Sequence, residues 1–417
     1  MINRNSFLRG CKLNLKGVVI SDKLENQLSN YYEITSGNPP LLIDFSESEF
    51  IEIATLLNCL SLIIQRKENN LETFIGYPTN KKVRDFLRIW RFHDAIEKAL
   101  NCEFKEILLK SNHGYLTEPQ TTYSGIGDGI DALEYNPDWN NNNAIKRNFF
   151  EFTIFKNEEA DSINPYGPLF SAPRHESSMW AGTLIKQVLK KHLTSDSPKD
   201  DIARVIIFES LSNAVRHPNA GIIAAVSKLN RSHKNHRSLR ICVWDNGDSI
   251  ASTLLRPLQK GLSVKAKSIP KYMCERIHVK IRTFDNKSTK EVIVDQSEDI
   301  DHNTAEARLL LASLFPGISR TVAEKVPNVQ PYDANDDTWF SWLPGMGLYS
   351  LSKIVLDQFQ GSLFIRSGHY RLVIEVAHDS LRKQKHVRYK CKITKYPTHY
   401  PSFKGNLLTI QLPIIEG

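Results

Sequence analysis

No run of eighteen or more apolar residues occurs in the 417-residue chain, so the sequence predicts no transmembrane helix. Its start, Met1 to Cys11, has neither a long apolar segment nor a small-residue cleavage site and does not read as a secretion signal. Cysteine is sparse: Cys11, Cys59, Cys102, Cys242, Cys274 and Cys391 are scattered with no close pair. That spacing argues against a zinc site or a disulfide framework and fits a reducing cytoplasm, the expected location. What is present describes a globular protein: 41% hydrophobic and 24% charged residues, over a length sufficient for two or three domains. The formal charge of +8 is unevenly placed. Residues 260–290 are lysine-rich, 291–301 acidic and 366–404 strongly basic. Most such runs are solvated surface, but a basic face can also meet nucleic acid or an acidic protein.

The first hundred residues alternate strand and helix signals, which implies a small α/β domain. Residues 15–20 are a candidate strand, and residues 40–45 read as a short buried one. Residues 49–64 carry Phe50, Ile53, Leu56, Leu57, Leu60 and Ile63 at helical spacing. Residues 71–76 suggest another strand, and residues 79–100 a second helix with Asn80 as its cap. From 106 to 172 the chain reads as a connecting segment, with the asparagine-rich stretch 136–143 as an exposed loop and 148–155 as a strand. Residues 176–192 look helical again.

Residues 201–221 read as one amphipathic helix ending near His217-Pro218, because proline pushes its predecessor out of the helical region. Glu209 and Asn213, four apart, project from one face a turn apart. An amide oxygen can join a Mg²⁺ shell of phosphate oxygens and waters, and a carboxylate can take a proton from an attacking water. Residues 220–227 and 238–244 suggest two strands, the second running into Asp245-Asn246-Gly247-Asp248. Gly345-Met346-Gly347-Leu348 then enters a helix that turns at Gln360-Gly361 into a strand over 362–366.

Glu-x-x-x-Asn, Asp-x-Gly and Gly-x-Gly-Leu in this order resemble the N, G1 and G2 boxes of the GHKL superfamily. Its members include the ATPase domains of histidine kinases, gyrase B subunits, MutL, anti-sigma-factor kinases and the 90-kDa heat-shock chaperones. The final Gly405-Asn-Leu-Leu-Thr-Ile-Gln-Leu-Pro413 is similar to that family's last strand, with Asn406 where threonine is usual. The resemblance implies a C-terminal Bergerat α/β sandwich over residues 173–417, with an extended ATP-lid insertion of about 95 residues at 249–343. Leu42-Ile-Asp-Phe-Ser46 followed by Phe50-Ile51, and the later stretch from Lys82 to Ala95, resemble STAS-like domains of anti-sigma-factor antagonists, implying a small N-terminal α/β domain over residues 1–105. The serine phosphorylated in signalling members aligns with Ile53 or Ala54, with only Thr55 near, so a phospho-switch does not carry over.

By this resemblance Glu209 would be the catalytic carboxylate, and Asn213 would ligate Mg²⁺. Arg216 would reach phosphate, and Asp245 would accept a hydrogen bond from the adenine amino group. Gly247 would admit the base, and Gly345, Gly347 and Leu348 would embrace the phosphates. Ser249 stands where the family often has a second glycine. The implied cofactors are ATP and Mg²⁺. Three activities fit: an ATPase whose lid closure switches a protein partner held by the STAS-like domain or the lid, a serine/threonine kinase of the anti-sigma-factor type, and a non-catalytic nucleotide-binding module. A homodimer and nucleic-acid contact both stay open, and no membrane partner is expected.

Overall fold

The computed structural model describes residues 11–34, 39–89, 92–100, 210, 222–231, 236–260, 277–283, 289–293, 306–314, 347–376, 389–396 and 403–414. These fall into two compact units, the first containing the described residues up to Leu100 together with 225–231, and the second Ser210, 222–224 and the described residues from His236 onward. Among the described residues no helix is long and apolar enough to cross a membrane.

The first unit runs β1 (Lys12–Asn14), β2 (Gly17–Val19), α1 (Ser21–Ile34), β3 (Leu41–Asp44), β4 (Ser48–Ile51), α2 (Ile53–Glu68), β5 (Thr73–Gly76), α3 (Lys81–Ile89) and α4 (Phe92–Leu100). Strands β1, β3 and β5 form a parallel sheet in that order, and β2 pairs in parallel with β4. Parallel neighbours need crossovers, which α1 and α2 supply. Helix α2 is apolar nearly all round, from Ile53 to Ile64, and is buried accordingly.

The structure corrects the helix expected at 49–64. Phe50 and Ile51 belong to β4, opposite Val18 and Val19, and the helix begins only at Ile53. The apolar run was compatible with both periods, and strand pairing decided it. Glu52, extended (φ −78°, ψ 143°), marks the boundary. Its Oε2 accepts from Ser21 N (3.2 Å) at the start of α1 instead of capping α2. The helix expected at 79–100 is two helices, and Asn80 Oδ1 accepts from Lys82 N (2.9 Å), capping the first as read. Thr55, in the first turn of α2, is completely buried.

Arg66, 1% exposed near the end of α2, ties this unit together. Its guanidinium donates to Thr73 Oγ1 (2.9 Å), Tyr31 OH (3.3 Å), Pro39 O (2.7 Å) and Glu72 O (2.9 Å). Arg66→Ala would remove four hydrogen bonds from a charged donor, each worth about 1.5–3 kcal/mol at most, while Pro39 O and Glu72 O keep Tyr31 OH and Leu41 N as donors. A loss of roughly 3 kcal/mol or more is expected, read as a lowered urea midpoint for this unit. An unchanged midpoint would show that the four bonds are replaceable by water.

The second unit is built on a sheet of order β6-β7-β13-β10-β11-β12-β8-β9, to which the unit itself contributes only residues 222–224 of the edge strand β6. These are β6 (Ile222–Arg231), β7 (His236–Asp245), β8 (Ile277–Thr283), β9 (Thr289–Ile293), β10 (Ser362–Gly368), β11 (Tyr370–Val376), β12 (Tyr389–Lys395) and β13 (Phe403–Ile414). The helices are α5 (Ile250–Gln259), α6 (Glu306–Ala312) and α7 (Gly347–Lys353), the last continuing as a π-helical turn, Ile354–Gln358. Strands alternate, so one face collects Ile241, Val243, Leu363, Ile365, Leu372, Ile374, Cys391, Ile393, Leu408 and Ile410, all buried. Helix α5 packs on α6 and β10, α6 on β11, and the π-helical turn on β10, β11 and β13.

The expected strands at 220–227, 238–244 and 362–366 and the closing strand all appear, each longer than read. The segment 249–343 contributes two strands to the larger sheet. Its β8 pairs in parallel with β12, and β9 extends the sheet antiparallel to β8. The helix after Gly347 is shorter than read, seven residues before the π-helical turn, and ends where Gln360 takes the left-handed conformation (φ 51°). Leu351, Ile354 and Val355 are buried as expected, while Leu348 is half-exposed. The expected elements over 101–172, 176–192 and most of 201–221 lie outside the described residues.

Candidate functional site

The best-defined polar centre of the second unit lies where β7, β10 and β13 reach the same end of the sheet. Antiparallel pairing of β13 with both neighbours aligns Asp245, Asn406 and Ser367 in one cross-strand row. All three are buried. Asn406 Nδ2 donates to both carboxylate oxygens of Asp245 (3.1 and 3.2 Å) and to Asp248 O (2.9 Å). Its Oδ1 accepts from Ser367 Oγ (2.7 Å) and from Ile250 N (3.0 Å). Ile250 N also points at Ser367 Oγ (2.9 Å). One amide therefore joins two strand ends to the start of α5.

The loop between Asp245 and α5 follows from its residues. Gly247 N donates to Asp245 Oδ1 (3.0 Å), the two-residue closure that aspartate makes with its own backbone. Ser249 caps α5 by accepting from Ser252 N (3.1 Å). This gives a local reason for serine at the place where the resemblance led one to expect glycine. Asp248 pairs with Arg256 in the last turn of α5 (2.7 Å). Gly405 adopts φ +77°, and a Cβ there would overlap the carbonyl of Asp245. The close approach of β13 to the end of β7 thus depends on that glycine.

Burial dominates the electrostatics of Asp245 and pushes its carboxyl up to about 7, against the opposing pull of the hydrogen bonds from Asn406 and Gly247. Nearby, Arg366 stacks on Tyr396 (4.0 Å to the ring centroid) and Phe403 (5.1 Å). Its Nη1 donates to Gly368 O and to Tyr370 O (3.2 Å), bracing the β10–β11 turn beside Ser367. Trp244 Nε1 donates to Lys404 O (3.2 Å), fixing the start of β13 from the other side.

Of the residues singled out from the sequence, Asp245 and Gly247 occupy this centre. Gly347 opens α7, with Leu348 in its first turn. Glu209, Asn213, Arg216 and Gly345 lie outside the described residues. Ser367 and the main chain of Ile250 were not foreseen. Asn406 was noticed only as a departure from threonine, and that departure was the available signal. No cluster of three or more His, Cys, Asp or Glu side chains suited to a metal occurs among the described residues.

The fold and the site define a mixed α/β protein: a small parallel-sheet unit and a larger mixed-sheet unit with a buried, amide-clamped aspartate at one sheet end. The chain matches no protein-family model, no curated protein and no solved structure.

Proposed function

We propose that the second unit is a GHKL-type module that binds ATP with Mg²⁺ and hydrolyses it, and that the nucleotide state switches a protein partner. The reading rests on one observation above all: Asp245, the residue the Asp-x-Gly motif assigns to adenine, is a buried carboxylate held at a strand end by Asn406 and Gly247. A carboxylate has about four acceptor positions, so a further donor such as an exocyclic amine can be accommodated beside these bonds. In this reading the first unit is the STAS-like partner domain.

The donor set suits the nucleotide. Asp245 would orient the base, and Gly347 would lead the chain past the phosphates into α7. Asn213 would hold Mg²⁺ with phosphate oxygens completing the shell, as expected for a cation that keeps few protein ligands. Bound Mg²⁺ would neutralise charge on the phosphates. Glu209 would take the proton from the attacking group. If that group is water the protein is an ATPase; if it is a hydroxyl of another protein, a serine/threonine kinase.

The test is turnover of γ-labelled ATP with Mg²⁺ by wild type and Glu209→Ala, following free phosphate and label on protein. Loss of phosphate release by about 100-fold or more is expected, the scale of removing a general base, with ATP binding retained. Label on protein, lost in the variant, would favour the kinase. Turnover unchanged in Glu209→Ala would remove Glu209 from the chemistry.

A further inference from the structure

None of the residues assigned above to nucleotide chemistry lies in the two basic stretches of the sequence, 260–290 and 366–404, and the topology brings strands from both together. Strand β12 lies between β11 and β8, and its register places Lys392 between Val373 and Lys280. One row places Thr394 between Arg371 and Arg282, and another Lys390 between Glu375 and His278. Residues two apart on a strand share a face and sit about 6.6 Å apart. These positions therefore make one basic band three strands wide. Its only acidic positions in these rows and their extension to β9 are Glu375 and Glu291, the latter opposite Lys280.

Over β11 and β12 this side of the sheet is the more exposed one. Along β11 and β12 the residues of the other side, Leu372, Ile374, Cys391 and Ile393, are buried, while Lys392 and Glu375 are exposed and Arg371, Val373 and Thr394 are half-buried. Phe364 of β10, opposite Val373, is half-exposed on the same side. Like charges directly opposite on neighbouring strands destabilise a sheet. Lys280 has Lys392 opposite on one side and Glu291 on the other, so the one carboxylate position offsets the charge of this row only in part.

We propose that this face over β11 and β12, continued by the β8 positions in register with it, binds single-stranded nucleic acid. Cations at regular spacing along two adjacent strands suit a run of phosphates, and an aromatic ring at the margin of the band offers a base its face. A sheet face presents no protruding helix or ribbon to enter a duplex groove. An acidic polypeptide would satisfy the lysines but leave Phe364 without a role.

The test uses the full chain without ATP, so its outcome is independent of the nucleotide site. A fluorescein-labelled strand of twenty thymidines is titrated by anisotropy across a range of salt. Salt-sensitive binding is expected, with a log–log slope near −2, corresponding to about three phosphates. Lys280→Gln/Lys392→Gln should weaken binding at least tenfold and reduce the slope by about 1.4. The same charge removed at exposed Lys81 and Lys82 of the first unit should leave both unchanged. Phe364→Leu should weaken binding severalfold at an unaltered slope. The lysine double variant should melt close to wild type, as surface charge changes usually do, which separates lost binding from lost folding. Absence of binding, an unchanged slope in the double variant, or stronger binding of polyglutamate or of a duplex of equal length would overturn the proposal.

Discussion

Asp245→Asn is expected to weaken ATP binding by about ten- to a hundredfold while leaving the fold standing. The amine of adenine needs an acceptor, and Asn406 already aims one amide nitrogen at both oxygens of Asp245. An asparagine at 245 would turn its own amide nitrogen toward either that donor or the base. A bond to a charged acceptor contributes about 1.5–3 kcal/mol, and every 1.4 kcal/mol is about tenfold in affinity. Removing a desolvated charge relieves its burial penalty, so the variant should melt near or above wild type at pH 8. This separates lost recognition from lost structure. Calorimetric titration with ATP gives the affinity, and retained wild-type affinity in a folded variant would show that Asp245 does not read the base. GTP, with a carbonyl where adenine has its amine, should bind wild type poorly and discriminate less in the variant.

How far the sequence led here depended on whether a feature is local. Buried runs such as residues 41–44 and 362–368 were legible because apolar residues bounded by turn residues leave few alternatives. The end of β7 was legible because Asp245-Asn-Gly closes its own turn. The strand at 48–51 was not, because Phe50 and Ile51 serve a helix or a strand equally, and only pairing with β2 decides. Long-range partners were hidden for the same reason. Nothing in Lys280 or Lys392 announces that their strands lie side by side, separated as they are by more than a hundred residues. Within the candidate site, Asp245 carried a motif. Ser367 did not, since it reaches Asn406 only through the β10–β13 register.

The stability of the nucleotide-free protein should fall as pH rises from about 4 to 7, and the affinity for ATP should rise over the upper part of the same range. Unfolded aspartate titrates near 3.9, whereas burial in the fold raises Asp245 to about 7. Between those values the folded chain holds a proton that the unfolded chain has lost. The linkage relation then gives a negative slope of stability with pH, about 1.4 kcal/mol per unit at most. The contribution is fully present below the unfolded value and gone once pH passes the folded one. Other groups titrate in this window too, so the quantity to read is the difference between wild type and Asp245→Asn in urea unfolding at pH 5, 6, 7 and 8. Wild type should lose ground to the variant up to pH 7 and run parallel above it. Binding has the opposite sign, because adenine donates to the ionised carboxylate. From pH 5 to 7 the wild-type affinity should climb up to about tenfold per unit and then level. A difference that is flat with pH would place the carboxyl in its ordinary range. An affinity that falls as the carboxylate ionises would mean that the ligand reads a protonated Asp245, and so presents an acceptor where adenine presents its amine.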